Sequence, residues 1–513
     1  MKNYLEEFKN ELAGFYDKTE QFYNKEISIA EYKGFSGKYG SYAQRGGNAS
    51  MIRLRMTGGI LTIPKFKYIV DTIRKYNIDK IHFTTCETIQ LHNLSKNDLC
   101  EIMNSAFENG IITIGGGGDY PRNVMCSPLS GVEVNENFDV MPYAQKAASF
   151  LLSFVNSVKL PRKLKVCFSN SFQNKTHATF RDLGFVSNSD KTFDVYSAGG
   201  LGNNPKMGVC VAKKTAPEDI LYYIKAMIVT FTEHGDYENR WKARTRYMQD
   251  TLGVENYIKE YNKNLEKIKS EEDLKIEVSP KEITKRGVPK DIESDMVIKQ
   301  KQDGLYAFRY HPIGGTPSIE NFINLYETIK DFKDVEVRIS PEEELYVINC
   351  TADEIEKISN VITDNAKNIF ETSVACIGNS ICQVGLRDSQ ALIKKLAEET
   401  KKHNFKNKTL PKIHISGCPS SCGTHQIGII GFHGTVKVID KVRHPAFFLH
   451  VGGNERRYEE KFGEISGVIL EKDIPDFIVE LGKTVEKENT TFEQWLEHNE
   501  DNFNKIVSKY IQE

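Results

Sequence analysis

A gapless internal match limits this chain more than any other feature. At a constant offset of 256, Arg53 matches Arg309, Gly58 and Gly59 match Gly314 and Gly315, Phe66 matches Phe322, and Thr72 and Ile73 match Thr328 and Ile329. The first copy runs M-I-R-L-R-M-T-G-G, then F-K-Y-I-V-D-T-I-R-K-Y, then I-H-F-T-T-C-E-T-I-Q-L-H. Its periodicity predicts strand, Gly-Gly turn, helix, strand. The echo continues beyond it. L-P-R-K-L-K-V from Leu160 is followed by L-P-K-I-H-I-S from Leu410, each preceding a T-H (Thr176–His177, Thr424–His425) and a G-F (Gly184–Phe185, Gly431–Phe432). The H-V-G-G of His450–Gly453 mirrors the A-G-G of Ala198–Gly200, both reading as strand ends where backbone approaches a ligand. The chain is therefore an internal duplication, expected to be α+β and to pack its halves about a pseudo-twofold axis with a cofactor in the shared crevice.

At 513 residues the length suggests three or four domains and room to bury a large cofactor. With 68 basic and 70 acidic residues the net charge is −2, so nothing calls for nucleic acid. There is no long apolar run, and Met1–Lys25 is charged and helix-like, so the expectation is a soluble, cytoplasmic protein with no membrane partner. Lys263–Lys301, rich in Lys, Glu and Asp, reads as a solvated linker. A helix over about Ala216–Glu233 leads into Tyr237–Leu252, where Arg240, Arg244 and Arg246 fall on or near one helical face, with Arg246 an ordinary surface cation.

Ten cysteines without a secretion signal point to reduced thiols and metal ligation. Four of them, Cys376, Cys382, Cys418 and Cys422, are spaced C-x5-C, 35 residues, C-x3-C. Four thiolates supply the soft donors and the charge that an iron–sulfur cube needs. Structural zinc is the weaker reading, because its knuckles usually have two to four residues between ligands. Gly417, Pro419 and Gly423 shape a turn rather than a buried strand. Cys86, Cys100, Cys126, Cys167, Cys210 and Cys350 are scattered and read as small core residues.

The segment A-C-I-G-N-S-I-C … G-C-P-S-S-C-G resembles the cluster signature of the siroheme-dependent nitrite and sulfite reductases. The resemblance implies that the four cysteines hold a [4Fe–4S] cluster and that Cys422 is also the axial ligand bridging it to the siroheme iron. Ser420 stands where that family more often has Asn. The strand motif M-x-R-x-R/K carries a catalytic Arg at its first basic position, here Arg53; G-D-x-x-R-N gives Arg122, and L-P-R-K-x-K gives Lys163 and Lys165. Gln44, Arg45, Arg55, Thr84, Gln90, His92, Asn123 and Arg162 resemble positions that line the siroheme. Two departures stand out: Cys86 replaces an expected Arg in T-x-R-Q, and a run of four glycines, Gly115–Gly118, replaces the usual Cys before G-D.

By this resemblance the domains are an N-terminal helical segment (1–30), a ferredoxin-like half-domain (31–115), a siroheme-binding α/β domain (116–262), the charged linker (263–301), a second ferredoxin-like half-domain (302–365) and a cluster- and siroheme-binding α/β domain (366–513). The implied activity is multi-electron reduction of a small anion, with electrons delivered singly by a ferredoxin or a flavoprotein subunit. Arg supplies a planar donor fork to adjacent oxygens, and Lys a compact charge able to pass on a proton. Lys163-Leu164-Lys165 favours sulfite; plant ferredoxin nitrite reductases tend to show K-x-N there, and nitrite stays as the alternative. A Cys-rich electron carrier or metal-binding protein without siroheme is the reading of another class.

Overall fold

The structure is a computed structural model that describes residues 4–406 and 408–512. It divides into two compact units. The first runs from the N-terminal segment to Gly200 and includes Pro205–Arg309 and Ile319–Thr363; the second comprises Leu201–Asn204, Tyr310–Ser318 and the chain from Asp364. Among the described residues no helix is long and apolar enough to cross a membrane.

In the first unit the two copies of the repeat each build a small antiparallel sheet backed by a helix. One sheet has the order Ser41–Ala43, Ser50–Arg55, Thr88–Leu94, Ile81–Phe83; the other runs Val297–Lys299, Tyr306–Tyr310, Leu345–Cys350, Glu336–Ile339, Ile60–Leu61. The last strand comes from the other copy: Leu61 pairs with Val337 and Ile60 with Arg338. Gly59 makes the crossing possible, because its φ is +72° and a Cβ there would lie 2.2 Å from the Ile339 carbonyl oxygen. The helix Ile63–Tyr76 starts with Pro64 in its first turn, stops at Asn77 in the left-handed region, and buries Phe66, Ile69, Val70 and Ile73. Its counterpart Ile319–Ile329 buries Phe322, Leu325, Tyr326 and Ile329. The rings of Phe66 and Phe322 lie 4.7 Å apart. Two residues matched by the repeat thus touch each other, which places a local twofold axis between them.

Each copy continues into a larger mixed sheet. In the first unit it has the order Val209–Thr215, Phe193–Ser197, Leu183–Ser187, Val166–Ser169, Met125–Cys126; in the second, Val374–Ala375, Ile413–Ser416, Ile430–Ile439, Val442–Val451, Glu464–Leu470, Ile511–Gln512. Both begin with three parallel strands and then turn antiparallel. Phe168 and Phe185 stack at 4.6 Å in the first core, while Ile415, Phe432 and Phe447 fill the second.

The registers fix the correspondence residue by residue. Cys126 pairs with Phe168 and Phe168 with Phe185, as Ala375 pairs with Ile415 and Ile415 with Phe432. A Cβ on Gly184 would lie 1.9 Å from the Ala178 carbonyl oxygen, and one on Gly431 1.9 Å from that of His425. His425 therefore corresponds to Ala178, not to His177, and the T-H match of the sequence is out of register by one. The left-handed residues agree: Asn174 and His177 (φ 50° and 59°) answer to Ser421 and Thr424 (φ 54° and 52°). The glycine match slips likewise. Ala198 and Gly199 donate to Asp182 and Arg181 as Gly452 and Gly453 donate to Ile429 and Gly428, so Gly199 is the partner of Gly453.

Two other expectations change. The segment 263–301 begins inside the helix Val254–Glu271, and the stretch after it is strapped down by Ile276 N–H on the Glu218 carbonyl (3.0 Å) and by Lys285 on Glu354 (2.7 Å). No helix covers Tyr237–Arg244. Asp236 instead accepts from the Glu238 and Asn239 amides, an Asx turn that outcompetes helix, and only short turns at Thr245–Tyr247 and Met248–Thr251 follow. Arg246 is buried, not a surface cation.

Candidate functional site

The first unit gathers the predicted cations around the four-glycine run. Arg53 Nη1 donates to the Gly116 carbonyl, Arg122 Nη1 donates to the same oxygen, and Arg122 Nη2 reaches the Gly118 carbonyl at 2.7 Å. The run is glycine for want of room: a Cβ on Gly116 would lie 2.7 Å from the Thr113 carbonyl oxygen and one on Gly117 2.5 Å from that of Gly37. Gln90 satisfies both of its neighbours with its amide oxygen toward Arg53 (2.6 Å to Nη2) and its nitrogen toward His92 Nε2 (3.3 Å). Burial holds His92 well below the usual imidazole range, so it is neutral.

Several residues expected to line the siroheme also hold the scaffold. Arg55 donates to the carbonyls of Ile114 (2.9 Å) and Arg122 (3.0 Å); burial, with Arg122 nearby, lowers its pKa to about 9. Gln44 donates to the Asn93 side chain and accepts from its amide. Thr84 closes the turn 84–88 by a 2.7 Å bond to Thr88, and Asn123 braces that turn through the Cys86 and Glu87 carbonyls (3.0 and 3.1 Å). Arg162 shares Asp119 with Arg240. Arg45 is exposed, and Lys163 is half-buried beside Leu164.

The most altered neighbourhood is that of Lys165. Burial lowers its pKa first; Cys86 opposes this, and Arg181 and Arg244 add to it. The Cys86 thiol, which burial alone would raise, is pulled down to about 6 by Lys165, by Arg181 and by a hydrogen bond from Lys165. Cys86 packs against a small core cluster, as expected, and its position beside Lys165 also favours the thiolate form. Arg244 is held by Asp182 at 3.0 Å. Arg181 and the shifted thiol of Cys86 escaped the sequence reading, because no motif marks them; Arg244 was singled out, but as a residue of a helix. The repeat partner of Arg53 is spent elsewhere: Arg309 is paired with Glu342 and Glu344.

The second unit carries the cysteines on two stapled loops. Cys376 N–H donates to Ile415, the amides of Leu386 and Arg387 donate to the Gly417 carbonyl, and Gly417 N–H donates to Cys376 Sγ at 3.2 Å. A Cβ on Gly423 would lie 2.0 Å from the Ile415 carbonyl oxygen, so this loop can pass only as glycine. The four thiols influence one another. Burial and then the charge of Cys422 raise Cys376 to about 12, and burial, Cys422 and Cys382 act on Cys418. Cys422 and Ser420 are exposed. Four cysteines on a glycine-shaped cradle, where burial and mutual repulsion oppose bare thiolates, fit a bound iron–sulfur cube, whose iron would offset the charge they take on as ligands.

The register shows why the first copy holds no such cluster. Ser127 N–H donates to Phe168 as Cys376 N–H donates to Ile415, and Val132 and Glu133 turn on Leu129 as Ile381 and Cys382 turn on Gly378. With Asn174 opposite Ser421, the four cysteine positions become Ser127, Glu133, Ser171 and Lys175. None of those side chains is a thiolate.

The family model for the nitrite and sulphite reductase 4Fe-4S domain matches residues 117–269 and 368–495. The chain belongs to the nitrite and sulfite reductase family. The ferredoxin-like half domain of the same family matches residues 42–106. A chloroplastic ferredoxin–nitrite reductase from Betula pendula is 26% identical over 410 residues, covering 75% of this chain and 67% of the relative. A ferredoxin–nitrite reductase from Leptolyngbya laminosa is 24% identical over 83% of each chain, and a sulfite reductase [ferredoxin] 1 from Mycolicibacterium paratuberculosis is 23% identical over 79% of this chain and 73% of its own. The fold matches that of Mycobacterium tuberculosis NirA with a TM-score of 0.76 at 21% identity, covering 95% and 94% of the two chains. As a member of this reductase family the chain is an oxidoreductase whose cofactors are siroheme and a [4Fe–4S] cluster. Its residues fit both groups. The thiols suit the cluster, and Arg122 Nε and Arg244 Nε, buried without partners, suit the carboxylates of a macrocycle or an anion.

Proposed function

We propose that this reductase converts sulfite to sulfide, taking six electrons one at a time from a ferredoxin, the donor that the relatives' names carry. The observation that carries this reading is the cation density around Lys165: Arg181 and Arg244 act on it, and Arg53 joins them around Cys86, set against Cys86 and Asp182. Sulfite bears up to two negative charges at neutral pH and nitrite one, so an excess of fixed positive charge favours sulfite. Cys422, with Cys376, Cys382 and Cys418, would hold the cluster, and siroheme bound beside it would relay the donor's electrons to the anion. Arg53, Arg122 and Lys163 would orient the anion's oxygens, and Lys165, whose ammonium burial makes more acidic, would donate protons to them. In the first unit Gln90, His92, Asn123 and Arg45 would face the macrocycle, and Gln44, Arg55, Thr84 and Arg162 would hold the frame there; in the second unit Ser420 stands two residues before Cys422. Four cysteines suited to hold a cluster fit a reducing compartment, and we place the protein in the cytoplasm.

Nitrite reduction to ammonia is the second reading, favoured by the names of the relatives from Betula pendula and Leptolyngbya laminosa. Turnover of both anions with reduced ferredoxin decides between them. A kcat/KM for sulfite above that for nitrite is expected, and the reverse order overturns the assignment.

A further inference from the structure

Three histidines in the second unit lie outside the roles described so far. His433 sits on Ile430–Ile439 opposite Phe448, and His450 sits on Val442–Val451 opposite Gly431. Two residues apart in register on neighbouring strands, they share a face of the sheet. His425 comes from the loop that follows Cys422. All three are buried, and one nitrogen from each falls within 4.8 Å of the others. His433 Nδ1 and His450 Nε2 are 2.7 Å apart, and His450 Nδ1 faces the Gly463 carbonyl. His425 Nδ1 is buried and has no partner.

Plain core packing is a poor account of this group. The corresponding positions in the first copy are Ala178, Val186 and Tyr196, so the same sheet closes without an imidazole at any of them. Burial and mutual repulsion keep the rings neutral, His433 down to about 4, and the lone pairs are therefore available at neutral pH. A carbonyl facing His450 Nδ1 is the usual partner that turns a ligand's other nitrogen toward a metal.

We propose that His425, His433 and His450 form a mononuclear site for a divalent transition metal, Zn2+ by the chemistry of its donors, separate from the iron–sulfur ligands. Three imidazoles leave a fourth position for water or a small anion. At a Zn–N distance of about 2.0–2.1 Å in tetrahedral geometry the donors stand roughly 3.3 Å apart, so binding replaces the His433–His450 hydrogen bond and parts those nitrogens by about half an ångström. The ion would tie the loop bearing Cys418 and Cys422 to the strand pair beneath it.

The test uses holoenzyme without a histidine tag, loaded with Zn2+ and dialysed free of excess, with zinc, iron and sulfide counted per chain. One zinc is expected, with three nitrogens near 2.0 Å at the zinc absorption edge. His433→Gln and His450→Ala should each drop zinc at least tenfold while iron and sulfide stay at wild-type levels. Less than a tenth of an equivalent on the wild type overturns the site. So does zinc that follows the cysteines, lost in Cys382→Ser and kept in His433→Gln.

Discussion

Arg53 and Arg122 donate to one carbonyl oxygen, that of Gly116, each across 2.5 Å. A single backbone acceptor thus sets the planes of two guanidinium groups from different segments. Arg53→Lys keeps the charge but cannot serve both Gly116 and Gln90 from one ammonium. Losing a hydrogen bond of a charged group costs about 1.5–3 kcal/mol, so kcat/KM should fall roughly 10- to 100-fold for the preferred anion. Unchanged steady-state kinetics would show that the fork geometry is irrelevant.

Lys165→Asn removes a proton donor and one positive charge while leaving the scaffold bonds of Arg55 and Asn123 in place. Sulfite turnover should drop, nitrite turnover should improve relative to it, and the siroheme absorption bands should persist. Full sulfite activity at every pH tested would reduce Lys165 to a bystander; loss of the bands would make it a cofactor anchor.

Cys86 adds a pH dependence. Its folded pKa, about 6, lies below the ordinary thiol range. A depressed pKa stabilises the fold above the unfolded value and loses that contribution as pH falls through the folded one. The margin by which wild type exceeds Cys86→Ser in urea midpoint should therefore widen as pH rises from about 6 to about 9 and then level off. A margin flat across that range would show that Cys86 is protonated in the fold.

Cys382→Ser should abolish the cluster, since three thiolates leave one iron without a protein ligand. Iron and acid-labile sulfide at wild-type levels would remove Cys382 from the ligand set.

Phe66 and Phe322 touch across the local twofold axis. Truncating either to Ala should cost about 3–5 kcal/mol, and the double variant should cost less than the sum, because both deletions open one cavity. Strict additivity in a double-mutant cycle would place the two rings in independent environments.

The duplication was legible because Gly58–Gly59 and Gly314–Gly315 must stay glycine to hold φ near +60 to +70°, and backbone constraints of this kind outlast side-chain divergence. The T-H pairing misled because threonine and histidine are free to drift, whereas the collision at Gly184 and Gly431 is not. Spacing marked the cysteines as a metal-ligand pattern, and the family resemblance made it an iron–sulfur one. Arg55 looked like Arg53 on the page, and what separates them is which carbonyls happen to come within reach. The strand exchange at Ile60–Leu61 was hidden for a different reason: two residues give no periodicity, and their partner lies far along the chain.

That exchanged strand also sets an order on synthesis. Ile60 and Leu61 leave the ribosome early, while Val337 and Arg338 follow roughly 280 residues later; at roughly 5–20 residues per second the pair waits on the order of 15–55 s to form. Until then the hydrogen-bonding edge of Ile60–Leu61 stands open. The nascent first copy can form its own four-stranded sheet, but it cannot be finished, and its burden on chaperones is set by how fast the second copy is translated.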